Sequence, residues 1–153
     1  MDRAREALDL VRKVVEGELG LELHPEKTQV VRYSEGFEFL GFSIASRHTR
    51  MRAKAVEAFK TKVRAITVRS HNLDADVVVR LNWVIRGTLN YFGASFATGD
   101  NLFRGFDKWI RKRIRCMKYK RISRVDNYRM PNKHIRRLGV LSCQQLFRMH
   151  HGH

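Results

Sequence analysis

The 153 residues hold 43% hydrophobic and 30% charged side chains with only 2 Pro, which excludes a disordered Pro-rich chain and leaves length enough for one large or two small domains to bury a core without metal or disulfides. The 31 Lys and Arg face 15 Asp and Glu, a formal net charge of +16 and a pI near 10.8, the balance of a protein that meets polyanions. Two distant cysteines, Cys116 and Cys143, exclude a zinc cluster built from Cys alone and do not suggest a secreted disulfide scaffold, while no apolar run approaches the roughly 18 residues of a membrane span.

From Asp2 to Leu19 the apolar positions Ala4, Ala7, Leu8, Val11, Val15 and Leu19 recur at three- and four-residue steps, which predicts an amphipathic helix ended by Gly17 and Gly20. Leu21-Glu22-Leu23 alternates like an edge strand, and Pro25 denies its continuation. Gln29 to Tyr33 is rich in β-branched residues and reads as extended. Ser34-Glu35-Gly36 is a hairpin-type turn before a strand expected over Phe37 to Ile44. Residues 45 to 53 are polar, basic and without period, so a boundary is expected there.

Beyond it the pattern is helical. Val56, Phe59, Val63 and Ile66 mark one helix, Val77, Val78, Leu81, Val84, Ile85 and Leu89 a second, and Phe103, Phe106, Ile110, Ile114 and Met117 a third. Asp74 and Asp100 are the expected N-caps of the last two. Three such helices with short connections make a small bundle. Past Tyr119 the chain turns basic and irregular, then shows a short apolar patch of Ile135, Leu138, Val140, Leu141, Leu146 and Phe147.

Charge is uneven along the chain. Residues 1 to 38 hold six basic and nine acidic side chains, net −3, so residues 39 to 153 carry +19. Within them, residues 104 to 137 hold fourteen Lys or Arg against Asp107 and Asp126 alone. Arg104, Lys108, Arg111, Lys112, Arg115 and Lys118 occupy the faces of the third helix that its apolar stripe leaves free, and a merely solvated face would mix signs. Tyr119, Tyr128 and His134 interleave with Lys118, Lys120, Arg121, Arg124 and Arg129, a mix suited to stacking on unpaired bases and bridging phosphates. On the second helix Asn82, Arg86 and Asn90 are spaced by four and form a polar stripe that is expected to contact nucleic acid. Gly87 beside them costs the helix roughly 1 kcal/mol relative to Ala, so either another helix or a nucleic-acid backbone is expected close to it. Tyr91, Phe92 and Trp109 read as core. The terminal His150, His151 and His153, Glu18 with His24, and Cys116 with His134 lack metal-ligand spacing, so no metal site is expected.

Leu19-Gly20-Leu21-Glu22-Leu23, Glu26-Lys27-Thr28 and Phe37-Glu38-Phe39-Leu40-Gly41-Phe42 resemble the last palm motifs of group II intron reverse transcriptases. Leu81-Asn82-x-x-Ile85-Arg86-Gly87-x-x-Asn90-Tyr91-Phe92, with Phe106-Asp107-x-Trp109-Ile110, resembles the maturase-specific domain of the same family, also called domain X or thumb. Arg121-Ile122-Ser123 through Leu138-Gly139 resembles that domain's basic tail. The segments follow one another in family order over nearly the whole chain. The resemblance implies that Lys27 sits near an incoming triphosphate, the bland alternative being a solvated turn lysine. It implies that Phe39, Leu40 and Gly41 press a primer backbone, the alternative being a strand that covers the first helix.

One departure is large. Family polymerases hold two Mg²⁺ on Asp residues, including an aromatic-x-Asp-Asp pair that is missing here, and two-metal chemistry needs carboxylates that bring the ions to within about 4 Å. Asp74 with Asp76 opens a helix and reads as capping. The chain is therefore expected to be a C-terminal fragment or truncated product, without catalytic residues of its own, and Mg²⁺ is expected only with the missing palm.

The expected fold is α+β: a palm remnant of helix and β-hairpin over residues 1–46, then an all-α three-helix thumb or maturase domain with a basic tail over 54–148. The expected function is binding of group II intron RNA to assist splicing and retrohoming, away from membranes and in a cytoplasmic compartment of bacterial type, an organelle being the alternative. The template-primer duplex is a second expected ligand. Two alternatives stand beside it: the C-terminal part of a split RNA-directed DNA polymerase that needs a separate catalytic palm, and a generic basic nucleic-acid binder or gene remnant.

Overall fold

The computed structural model describes residues 2–25 and 27–152, so Glu26 of the Lys-Thr element and the terminal His153 lie outside the described residues. The architecture is α+β. Two compact units emerge, residues 1–37 with 44–47, and residues 38–43 with 48–153.

In the first unit, α1 (Asp2–Arg12) runs on as a π-helical stretch over Lys13–Glu18. The widened turn follows from bonds that reach back five and six residues, Leu19 N–H to the Val14 carbonyl at 3.1 Å and Leu21 N–H to the Val15 carbonyl at 3.0 Å, with the permissive Gly17 between. Leu21–Leu23 and Gln29–Tyr33, expected as extended pieces, enter no strand pairing, and Leu23 N–H turns instead to Glu16 Oε1 at 3.4 Å. No described side chain of this unit is fully buried; Leu10, Leu19 and Leu21 are each at least 60% exposed.

A three-stranded sheet, β1 (Phe37–Phe39), β2 (Phe42–Ala45) and β3 (His48–Met51), is ordered β1-β2-β3. The single strand expected over Phe37 to Ile44 is thus a tight hairpin. Leu40 and Gly41 take φ of +46° and +82°, the left-handed pair of a two-residue turn. Gly41 is required twice over, since a Cβ there would also meet the Phe92 ring at 3.2 Å. Leu40 is held in its uncommon conformation by the Tyr91 hydroxyl, which donates to its carbonyl at 2.7 Å. Phe42 packs against Tyr91, Phe92 and Phe96 with centroids 5.8, 5.1 and 5.5 Å away, fixing the hairpin tip on the end of α3. β3 lies in the stretch without period where a boundary between the two parts is expected. Thr49 and Thr98 exchange backbone and hydroxyl hydrogen bonds there, and Met51 is buried.

The helices α2 (Ala53–Ile66), α3 (Ala75–Phe92) and α4 (Asp100–Tyr119) fall where the period placed them. Their cores are Phe59 and Val63; Val77, Val78, Leu81, Ile85 and Leu89; Phe103, Phe106, Ile110, Ile114 and Met117. Each such side chain contributes about 1.5–3 kcal/mol by leaving water. Asp74 caps α3 through Val77 N–H at 2.9 Å. Asp100, expected to cap α4, does not: Gly99 takes the cap position and the carboxylate is claimed by Gln144 Nε2 and Arg148 Nε, both at 2.8 Å. Those hydrogen bonds, Arg148 first, hold the Asp100 carboxyl below its ordinary pKa.

The tail is more ordered than its composition suggests. It forms α5 (Asp126–Arg129), α6 (Asn132–Arg137) and α7 (Cys143–His150). α7 packs on α4 and α3, with Phe147 against Phe103 at 4.8 Å and Cys143 fully buried, so it completes the bundle as a fourth packed helix. Among the described residues no helix is long and apolar enough to cross a membrane.

Candidate nucleic-acid interface

Two of the basic residues on α4 turn inward. Arg113 lies over the C-terminus of α2, where carbonyls are left open and a cation is favoured. Its Nε donates to Thr67 Oγ1 at 2.9 Å, and one terminal nitrogen donates to the carbonyls of Thr67 at 2.6 Å and Arg64 at 3.4 Å. Arg115 is only 8% exposed and donates to the Met130 carbonyl at 2.9 Å and to Asn132 Oδ1 at 2.7 Å. Burial, and after it the charge of Arg111, pull its pKa below the usual arginine value. Lys120, left-handed at φ +56°, donates Nζ to the carbonyls of Ser70 and His71. Arg121 pairs with Asp126 at 3.0 Å, and Arg104 with Asn101 Oδ1 at 3.0 Å.

Both acids of this segment are internal. Asp107, 5% exposed, accepts from Ser142 Oγ at 2.6 Å and from the amides of Cys143 at 2.7 Å and Gln144 at 3.3 Å, so it caps α7 from another helix. Desolvation, and next this carboxylate, push the Cys143 thiol well above its ordinary pKa. Asp126 is 1% exposed. No exposed carboxylate therefore remains between residues 104 and 137 to repel a phosphate.

Among the described residues the side chains of Lys108, Arg111, Lys112, Lys118, Arg124 and Arg129 make no ion pair or hydrogen bond. The same holds for Lys133, Arg136 and Arg137 of the tail, which the sequence counted as charge without naming as contacts. Lys108, Lys112 and Arg124 line a cleft of about 400 Å³ with Ser123 and Asn127. Lys108, Arg111 and Asn127 line an adjoining cleft, also about 400 Å³. Asn127 lies in neither the apolar stripe nor the charge run, which is why the sequence left it unmarked.

A different surface lies along α3. Leu40 and Gly41 of the hairpin, Arg52, Lys62, Trp83, Gly87 and Tyr91 line a groove of about 620 Å³. Apart from its chain neighbours and the nearby backbone of α3, no atom of the described residues lies within 4 Å of a Cβ built on Gly87, so no other helix compensates this glycine. Trp83 and Tyr91 are 68% and 51% exposed, and Tyr91, expected in the core, turns only one face to Phe42. The buried Nε of Arg52 has no partner among the described residues, although its terminal nitrogen pairs with Glu38 at 3.2 Å. Trp83, Lys62 and Arg52 were not singled out from the sequence, and the one available signal is that Trp83 falls off the apolar stripe of its helix.

The expected polar stripe is divided. Asn82 is half-buried and tied to the tail, donating from Nδ2 to the Gly139 carbonyl at 2.8 Å and accepting from Leu141 N–H at 3.0 Å, while Arg86 and Asn90 are exposed and their side chains unpaired among the described residues. Phe39 and Leu40 are 58% and 66% exposed. Lys27 is exposed in the first unit. Asp74 is engaged as a cap and Asp76 pairs with Arg80 at 2.8 Å, and among the described residues no three His, Cys, Asp or Glu side chains gather as a metal site would require.

The family model for the group II intron, maturase-specific domain matches residues 56–138. The chain belongs to that family. No curated protein matches it. The maturase-specific span runs from the first turn of α2 to the end of α6, and so takes in the basic α4–α5 face, Arg86, Gly87 and Asn90 of α3, and Asp107. α7, which Asp107 caps, lies beyond it.

Proposed function

We propose that this maturase-type chain binds group II intron RNA through the α4–α5 face and helps that RNA reach its splicing-competent fold. The RNA supplies the chemistry, and the protein supplies position. The observation that carries the reading is the sorting of charge: Arg113, Arg115, Lys120 and Arg121 are engaged within the fold, whereas Lys108, Arg111, Lys112 and Arg124 are free and line adjoining clefts. Arg115, included with them on spacing, is left out of the proposed contact set because its guanidinium is bonded inside. The test is binding to a folded group II intron RNA across a salt series, with Lys108→Gln, Arg111→Gln and Lys112→Gln combined. Affinity and salt slope fall together if these residues meet phosphates.

A second ligand is favoured by the groove on α3. We infer that it holds a template-primer duplex when the chain works beside a separately encoded catalytic palm, with residues 1–46 as the palm remnant. Support comes from the open Gly87, which permits a backbone to approach α3 closely, and from the unpartnered Arg52 Nε beside the hairpin tip. Extension of a primer on an RNA template by this chain alone is not expected. Extension in the presence of an added palm polypeptide, lost on changing Arg52, is the result that supports this second role.

A further inference from the structure

Tyr128 is the most exposed large hydrophobic side chain among the described residues, at 87%. The backbone that carries it is nevertheless fixed. Two residues before it Asp126 is buried and bonded to Arg121, and two residues after it Met130 is buried with its carbonyl held by Arg115 Nε at 2.9 Å. The four-residue helix α5 thus displays an aromatic ring from a turn pinned on both flanks, and the ring itself touches no other aromatic group and its hydroxyl takes no hydrogen bond among the described residues. Ile122 and Val125 nearby are also exposed, at 68% and 53%. A water-facing aromatic ring on a fixed platform loses little conformational freedom when something stacks on it, which favours binding.

The chemistry around the ring selects the occupant. Arg124 and Arg129 flank it in sequence, Asn127 beside it lines both basic clefts with Lys108, and the two acids of the segment are buried. A protein partner with an apolar patch would have to tolerate this field, whereas a nucleic acid is drawn by it. Fully paired duplex RNA offers no base face to a side chain; its bases are stacked on each other and its major groove is too deep and narrow to enter. An unpaired base next to phosphates matches both features at once.

We propose that Tyr128 is a stacking platform for an unpaired base of the bound RNA, whose neighbouring phosphates lie along Lys108, Lys112 and Arg124. This rests on the α4–α5 face being the RNA-binding surface, and it adds that the face takes RNA where the helix is interrupted by a bulge, loop or end. Asn127, with a free amide that both donates and accepts, is placed one residue away to meet a base edge.

The experiment compares two RNA hairpins of equal length, one fully paired and one with a single bulged 5-iodouridine, a base that photocrosslinks to an aromatic ring in contact with it. The full chain is expected to bind the bulged RNA at least about fivefold more tightly, the low end of what one base–aromatic stack contributes, and to crosslink at Tyr128. Tyr128→Ala is expected to abolish the preference and the crosslink while binding the paired hairpin as before; Tyr128→Trp is expected to retain the preference. Equal affinity of the wild type for the two RNAs, or a preference and crosslink that survive Tyr128→Ala, overturns the proposal. Lys108→Gln with Lys112→Gln separates the two failures. If that pair weakens both RNAs while Tyr128→Ala changes nothing, only the stacking role is wrong; if it weakens neither, the basic face itself is wrong and the stacking role falls with it.

Discussion

Helices α3 and α4 each turn an apolar stripe to the same core, yet their outer faces are built differently. On α4 most exposed positions from Arg104 onward are basic, and the fold divides the helix's cations into internal caps and free groups. On α3 charge is sparse, and the outer face offers Trp83, the bare backbone at Gly87 and the ring of Tyr91. Positive charge alone attracts RNA at any register. A surface with an open glycine and exposed rings fits shape instead, so in the function proposed above capture belongs to α4 and close fitting to α3.

The comparison breaks most completely if α4 loses its anchor. Asp107→Ala leaves Ser142 Oγ and the first amides of α7 without an acceptor, and is expected to cost about 3 kcal/mol, read as a lower urea midpoint. Arg115→Gln is expected to cost about 2 kcal/mol, because it frees the buried Met130 carbonyl; Lys112→Gln on the same helix is expected to leave the midpoint unchanged. On α3, Asn82→Ala removes two bonds to the 139–141 loop and is expected to cost about 1–2 kcal/mol, against no measurable change for the exposed Asn90→Ala.

The smallest effect sharpens the comparison best. Since nothing lies within 4 Å of a Cβ at Gly87, Gly87→Ala is expected to stabilise the free protein by about 0.5–1 kcal/mol and yet weaken nucleic-acid binding, if a backbone approaches there. Gly105→Ala on α4, where the space is equally open, is the control expected to stabilise without weakening. A Gly87→Ala variant that binds as well as wild type would reduce the α3 groove to ordinary surface.

Much of this was legible in the sequence, and the rest was not for identifiable reasons. α2, α3 and α4 are long enough for the apolar period to repeat several times, and their buried apolar residues are among those the period selects, while Val56, Ile66 and Val84 are only half-buried. The hairpin turn at Leu40 and Gly41 was read through as strand because Leu40 is an unusual residue for positive φ, held there by the distant Tyr91 hydroxyl. β3 rests on Thr98, far along the chain, and α5 on Arg115 and Arg121, so neither has a local signature. The basic face was visible as composition. Which cations are free was not, because Arg115 follows Arg111 at the same four-residue spacing by which Lys112 follows Lys108, and only tertiary bonds distinguish the engaged residue from the free ones. Asn82 and Asn90 present the same case on α3.

The measurement that bears most directly on the account is the salt dependence of binding to a folded group II intron RNA, for the wild type and for the Lys108→Gln, Arg111→Gln, Lys112→Gln triple variant. Each neutralised phosphate contributes roughly 0.7–0.9 to the log–log slope, so the wild type should show a slope of several units. The triple variant should lose about two of them while keeping the wild-type unfolding midpoint. A flat wild-type dependence, or a triple variant with an unchanged slope, would contradict the assignment of the α4–α5 face to RNA.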